Sequence, residues 1–410
     1  MLTDLYPCAA ARYRALPVVG PLVDGFEQHL EAQGYRRGSR RLMIRALRPI
    51  ARCLQQHGYQ DLTEISIEAL GTCAPADSQA DRVRCGTVHA LQRYLRQAGL
   101  PCITPAVTPT VTTALLAAYA RFLADVRGLV PSTVGDHVDT AKAFLAQLGE
   151  APTPARLAAV TTQDIEAFMR ARGPQVGRGT LQHIASQLRG FLCFLALRGF
   201  LDAALAEAVD TPRLYRGERL PRSLPWSTVQ AFLQAIDCRT AKGRRDYAMF
   251  SLIATYGLRA CEVVALTLDD IDWRAAQLRI AQRKTGQLLQ LPLTDAIGDV
   301  LVDYLREARP PLPFRQLFLR QRAPAGVLKP TAVGEAFQYW RARSGLAIPF
   351  QGPHCLRHAY AVHLLRCGTP VKTIGDLLGH HSAESTCVYL RLAVEDLREV
   401  PLALPAEVGP

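Results

Sequence analysis

Two helical units followed by an α+β domain with a small antiparallel sheet is the fold class this sequence predicts. Three observations carry it. Apolar residues recur at helical spacing through the first half of the chain. A polar, proline-bearing stretch at 210–225 then interrupts that spacing. Beyond it two short runs, Gln277 to Ala281 and Leu288 to Leu291, flank the turn RKTGQ and read as a β-hairpin set among further helices. A chain of 410 residues has room for two or three domains. With 49% hydrophobic and 20% charged residues and no low-complexity block, it has the balance of a globular protein with real cores.

Taken in order, Leu22, Val23, Phe26 and Leu30 predict a helix that stops near Gly34. A second helix begins after Arg37, with Pro49 expected to kink or divide it. Within it Arg41, Arg45, Arg48 and Arg52 stack on one side, and no acid lies between Glu31 and Asp61 to neutralise them. Leu42, Leu47, Ile50 and Leu54 serve the other faces. LTEISIEAL at 62–70 and the helix at 89–101 close a first unit, placed at 1–105.

A similar order then returns in Tyr119, Phe122 and Val126, in Ser132 to Leu148, in 157–168 and in 181–201, giving a second unit at 110–208 of the same architecture. The linker, placed at 209–222, carries Arg213, Arg216, Arg219 and Arg222 against Asp210 and Glu218, a composition suited to a strap along a DNA backbone. The last domain is placed at 223–400. Helices are expected in 226–236, 244–257, Asp295 to Glu307, Thr331 to Ser344 and through 351–391, and 401–410 should be a loose tail.

The formal charge of +12 favours a polyanionic partner such as nucleic acid. Eleven cysteines form no CxxC pair, which excludes a zinc ribbon and a disulfide framework as the simple reading and favours reduced thiols. The N-terminus lacks a basic start with a long apolar run, and no segment offers about eighteen uninterrupted apolar residues. The expectation is a soluble cytoplasmic protein, nucleoid-associated when bound to DNA.

The chemistry concentrates in QGPHCLRHAYAVHLLRCGTPVKTIGDLLGHHSAESTCVYLR, residues 351–391. His354 and Arg357 stand at i, i+3, so one helical turn aims both at one spot. Five histidines in 28 residues invite a metal reading, yet HxxRH lacks the HExxH spacing and the carboxylates of a zinc hydrolase. No metal and no cofactor are expected, and His358 and His363 read as structural. Cleaving a phosphodiester without hydrolysis needs a nucleophile that stays on the protein, cations around the nonbridging oxygens and an acid for the leaving oxygen. Tyr389 is a candidate nucleophile.

TYGLRACEVVALTLDDID at 255–272, RKTGQLLQLP at 283–292, HCLRH at 354–358 and LGHHSAESTCVY at 378–389 follow in an order that resembles the tyrosine recombinases, the phage-type integrase family. The resemblance is close across 223–400 and looser across 110–205, which is similar to that family's SAM-like helical core-binding domain. It implies that Arg259 and Arg357 grip the scissile phosphate, a task suited to a fixed fork of donors. Glu262 would buttress these cations. Lys284, eight residues before Pro292, would protonate the leaving 5′ oxygen, with Arg283 its rival. His354 would accept or relay the tyrosine proton. His380 would hydrogen-bond a nonbridging oxygen, favoured over His381 by the LGH frame and the nine-residue step to Tyr389.

The implied function is a site-specific recombinase of integrase or transposase type working through a 3′-phosphotyrosyl intermediate. Its partners would be double-stranded DNA bearing recombination sites, a homotetramer on synapsed DNA, and accessory or sister recombinases. A type IB topoisomerase shares the chemistry, but the short catalytic domain and the helical N-terminal units weigh against it. A DNA-binding accessory protein on the same fold would lack a catalytic group, and none is missing.

Overall fold

The computed structural model describes all residues except 62–63, 76–80, 100–109, 150–152, 216–220, 283–285, 287, 381 and 393–410. Lys284, Arg283, His381, Arg216, Arg219 and the 401–410 tail therefore lie outside the described residues. The chain divides into two compact units, 1–103 with 219–410 and 104–218.

Residues 1–103 build their own apolar core from Phe26, Leu30, Ile44, Leu47, Ile50, Leu91 and Leu95. Its main helices are Val23–Ala32, Arg37–Gln56, Ile67–Thr72 and Arg82–Ala98. Ser66 Oγ caps the third by accepting from the Ala69 N–H at 2.9 Å, and Asp81 caps the fourth through the Arg84 N–H at 2.9 Å. Two short helices, Leu2–Leu5 and Ala10–Arg14, precede them and were not expected from the sequence. Pro49, expected to kink or divide the helix, does not divide it, for helix Arg37–Gln56 runs through it. The carbonyl that Pro49 leaves without a partner belongs to Arg45, an exposed residue whose backbone water can satisfy. Of the apolar residues that serve the other faces, Leu42 is 50% exposed, while Leu47, Ile50 and Leu54 are buried along with Met43 and Ile44.

The second unit has helices Val111–Arg121, Pro131–Leu148, Thr162–Arg172 and Arg178–Leu197. Its core is aromatic. Tyr119 sits 5.0 Å from Phe191, and Phe144 meets Phe168 edge-on at 5.4 Å between ring centroids.

The remaining part, from Trp226 onward, is organised around helix Ala241–Tyr256, buried along most of its length. Buried Asp246 anchors it, accepting from Arg245, from Lys242 at 2.7 Å and from the Trp340 indole at 2.8 Å. Strands β1 (Ile271–Asp272), β2 (Gln277–Ala281) and β3 (Leu288–Pro292) form an antiparallel sheet in the order β1-β2-β3. Leu278 pairs with Leu291 and Ile280 with Leu289, so the period-two alternation turns Leu278, Ile280 and Leu291 into the core. Helices Asp295–Glu307 and Pro330–Ser344 follow. Residues 351–391, expected as one helical stretch, are helices His354–Arg366, Val371–Leu378 and Ala383–Cys387 with a 3₁₀ turn Val388–Leu392. Among the described residues, no helix is long and apolar enough to cross a membrane.

Candidate active site

Two helix ends make the centre of the site. Helix Ala241–Tyr256 stops at Gly257, which takes the left-handed conformation with φ of 66°. Helix Val371–Leu378 stops in the same way at Gly379, with φ of 62°. A helix C-terminus presents carbonyls without intrahelical partners and the negative end of its dipole. Both termini turn these carbonyls on one side chain. Arg357 donates from Nη1 to the Gly257 carbonyl and from Nη2 to the Leu378 carbonyl at 2.7 Å.

Arg357 is only 2% exposed, and no carboxylate pairs with it among the described residues. Burial, and then the neighbouring Arg259, bring it down to about 10, so it remains a cation at neutral pH. A buried cation held by carbonyl dipoles keeps its net charge available to an arriving anion, whereas one paired with a carboxylate would not.

Arg259 stands at the start of helix Ala260–Ala265. Glu262, 3% exposed, accepts from the Arg259 N–H at 2.8 Å and from its Nη1 at 2.7 Å. The same carboxylate thus caps the helix and holds the guanidinium of Arg259.

His380 Nε2 lies 3.2 Å from Arg357 Nη2, and its Nδ1 lies 2.8 Å from Thr386 Oγ1. Arg357 has only donors, so Nε2 is the acceptor and the ring proton belongs on Nδ1, donated to Thr386. Thr386 is itself 2% exposed. Sequence reading passed over it. The available signal was its place three residues before Tyr389, one turn away on the same helical run.

Tyr389 is 3% exposed and packs with Ile374 and Leu378. Its ring lies nearly parallel to that of His380, 6.3 Å between centroids. Burial raises the phenol above its ordinary range, while Arg357 and Arg259 pull it back. The partner of its hydroxyl corrects an expectation. His358, read from the sequence as structural, places Nδ1 2.9 Å from Tyr389 Oη.

His354, expected to accept or relay the tyrosine proton, stands edge-on to His358 with ring centroids 4.5 Å apart. The reason is helical spacing. His354 and His358, at i, i+4, share a face of helix His354–Arg366, and the later residue is the one that reaches the turn carrying Tyr389. Burial, with His354, Arg357, His380 and Arg222 around it, lowers His358 to about 4. The ring is neutral at pH 7 and can accept the phenol hydrogen. His354 is lowered too, by burial and then by Arg357, Arg259 and Arg222.

His363 keeps a packing role, stacked on Trp226 at 4.1 Å with an interplanar angle of 4°. Arg222 is exposed yet close enough to act on both His354 and His358, and Arg213 is exposed in the other unit. Arg41, Arg45, Arg48 and Arg52 lie in the N-terminal helices, away from these groups in sequence, and all four are exposed. Gln282, 3% exposed, is a further residue the sequence did not flag. It lies against Gly379 so closely that a Cβ there would overlap its amide, and it stands two residues before Lys284 in the sequence. Among the described residues no group of three or more His, Cys, Asp or Glu is arranged to hold a metal ion.

The arrangement therefore gathers two guanidiniums, a histidine and a buried tyrosine in one place, with a neutral histidine on the tyrosine hydroxyl. Comparison with known proteins agrees with that chemistry. Residues 222–396 match the phage integrase family model, and 116–199 match its N-terminal SAM-like domain. A putative integrase/recombinase of Sinorhizobium fredii, y4rF, is 30% identical across 94% of this chain and 92% of its own length. Tyrosine recombinase XerD of Pseudomonas putida is 35% identical over 52% of this chain and 72% of its own length. A solved lambda integrase dimer bound to a COC′ core site shares the fold with a TM-score of 0.53 and 21% identity, covering 80% of this chain and 91% of that one. With a full-length relative and both domain models in register, the chain belongs to the phage integrase family of tyrosine recombinases, enzymes that cleave and rejoin DNA.

Proposed function

We propose that the protein is a site-specific DNA recombinase of integrase or transposase type, working in the cytoplasm on double-stranded DNA as a homotetramer on two synapsed sites. The observation that carries this reading is the buried Tyr389 hydroxyl held by His358 beside Arg357, a cation whose direct partners are two carbonyls and His380. In the reaction Tyr389 Oη attacks the scissile phosphorus. An oxygen–phosphorus bond forms to tyrosine, the bond to the 5′ oxygen breaks, and the product is a 3′-phosphotyrosyl strand with a free 5′ hydroxyl. Attack by a 5′ hydroxyl from a partner strand reverses the step, and the ester energy is conserved.

Arg259 and Arg357 bind the nonbridging oxygens, where charge develops in the transition state. His380, its Nδ1–H held by Thr386, adds a donor at Nε2 once protonated. His358 takes the tyrosine proton and His354, edge-on to it, relays that proton. The negative phosphate arriving beside His358 opposes the cations that depress it, so its basicity rises when DNA is bound. Lys284 protonates the departing 5′ oxygen, a role that rests on the family resemblance and on its place in the sequence between β2 and β3.

The test is covalent capture from a randomised pool of nicked duplexes, in which the cut fragment diffuses away and traps the intermediate. The wild-type chain should give a denaturant-resistant adduct, and Tyr389→Phe should bind the selected duplex without forming it. An adduct that persists in Tyr389→Phe, or a wild-type chain that binds its selected duplex and never forms one, would overturn the proposal.

A further inference from the structure

The N-terminal unit contains a surface that the catalytic chemistry does not use. Helix Arg37–Gln56 holds no acidic residue, and Arg41, Arg45, Arg48 and Arg52 lie within a sector of about 60° on it. All four are exposed, and no carboxylate pairs with any of them among the described residues.

The acids nearby are spent elsewhere. Glu27 and Glu31 take Arg40 at 2.6 and 2.8 Å, Asp24 takes Arg14 at 2.7 Å, and Asp4 takes the N-terminal amine at 3.0 Å. Arg37 is also used internally, donating to the Asp4 carbonyl at 2.7 Å. The fold thus separates arginines that hold it together from four that face outward with their charge uncompensated.

Two of the four are preorganised. Arg41 lies over the Tyr6 ring at 5.3 Å, and Arg48 over Tyr13 at 4.7 Å. Tyr6 is fixed in turn, donating its hydroxyl to the Arg41 carbonyl at 2.6 Å, and Tyr13 is buried. Stacking restricts the guanidiniums without neutralising them and leaves their edge N–H groups free for an anion. A face meant only for solubility mixes both signs, and this one carries a single sign. The four span about 16 Å along the helix, the axial run of roughly five phosphates on one DNA strand.

We infer that this ridge is a second DNA-binding surface, which grips the phosphate backbone of duplex DNA independently of the catalytic site. The inference rests on the reading that the chain works on DNA, and it assigns the 1–103 helices the task of extending the grip beyond the cleaved sequence.

The test compares the full chain with the Arg41→Gln, Arg45→Gln, Arg48→Gln, Arg52→Gln variant in binding a mixed-sequence duplex of about 40 base pairs across a salt series. Four lost phosphate contacts should reduce the slope of log affinity against log salt by about 3.6. The matching fourfold lysine variant keeps the charge, so it should keep the slope, and unchanged circular dichroism should show that the glutamine variant folds. A slope within about one of wild type would overturn the inference. So would a loss seen on single-stranded RNA or anionic vesicles and not on duplex DNA. Binding is read at equilibrium without cleavage. A chain that keeps the expected slope but forms no tyrosyl adduct would sink the recombinase reading and leave the ridge standing.

Discussion

Thr386 offers the sharpest test of how the site is held. Replacing it with valine preserves the shape and removes only the oxygen that accepts from His380 Nδ1, now at 2.8 Å. Two losses follow. In the resting protein a half-buried ring N–H loses its hydrogen bond to Thr386, at a cost of about 1–3 kcal/mol. The ring can escape by moving its proton to Nε2, but that nitrogen now accepts from Arg357 at 3.2 Å. Either choice breaks one of the two hydrogen bonds that now fix the ring.

In the reacting complex His380 must donate from Nε2 while Nδ1–H still needs an acceptor, and a hydrogen bond to a charged group is worth about 1.5–3 kcal/mol. Single-turnover cleavage by Thr386→Val should therefore fall about 10- to 150-fold with little change in DNA affinity. Thr386→Ser, which keeps the oxygen, should recover most of the rate. Nitrogen chemical shifts of His380 should report Nδ1–H in the wild type and in the serine variant, and a displaced tautomer in the valine variant. Equal cleavage rates for the valine and serine variants, or an Nδ1–H tautomer that survives in Thr386→Val, would refute the argument.

Other perturbations have equally definite outcomes. His358, lowered from the ordinary 6.5 to about 4, is neutral in the fold while the unfolded chain protonates near 6.5, so its stabilisation is complete above that pH and is lost as pH falls towards 4. The ceiling is about 3 kcal/mol, reduced to about 1–2 kcal/mol by partial exposure of the ring. Urea titrations should accordingly show a shallower acid limb for His358→Gln.

Gly257→Ala forces a left-handed alanine whose Cβ would lie 2.5 Å from Leu378 Cδ2 and 2.8 Å from Tyr360 Cδ1. It should cost about 2–4 kcal/mol in thermal unfolding and loosen Arg357. Lys284→Ala should cleave slowly on ordinary DNA and recover on a duplex with a bridging 5′ sulfur, because a thiolate leaves without an acid. No recovery on that substrate would remove Lys284 from the acid role.

What was legible in the sequence was whatever has a period or a fixed order. Helix Asp295–Glu307 and strand Gln277–Ala281 stand where their patterns put them, because amphipathic runs bounded by turn residues have few alternatives. Strand Ile271–Asp272 and helix Leu2–Leu5 are too short to show a period, and only tertiary contacts define them. Pro49 looked like a breaker, but the core contacts of Ile44, Leu47, Ile50 and Leu54 hold the helix on both sides of it. Within the site, Arg259, Arg357, His380 and Tyr389 stood out through the ordered motifs that resemble the family, since a tyrosine or an arginine alone has no such signal. His358 did not, because its neighbour His354 has the same chemistry at the same face, and only the path of the turn carrying Tyr389 decides which of the two reaches the hydroxyl.

The glycines of the two motifs also have a use that spacing alone does not reveal. In GLR and LGH each glycine ends a helix in the left-handed conformation, and each helix end turns a carbonyl towards Arg357. The segment that supplies Arg259 therefore also clamps the other arginine, and the segment that supplies His380 clamps it from a second side. This explains how one buried guanidinium can be fixed without a carboxylate. Two helix termini provide partial negative charge, enough to offset burial but too little to cancel a full positive charge. An acid placed at either terminus would satisfy Arg357 better and leave less of its charge for a phosphate. The separation of roles follows from this. Arg259 can have Glu262 because its side chain is 19% exposed and still has free edges, whereas Arg357, held through Nη2 by the Leu378 carbonyl and His380 and through one Nη1 hydrogen by Gly257, is fixed by dipoles and keeps its remaining N–H groups for a phosphate.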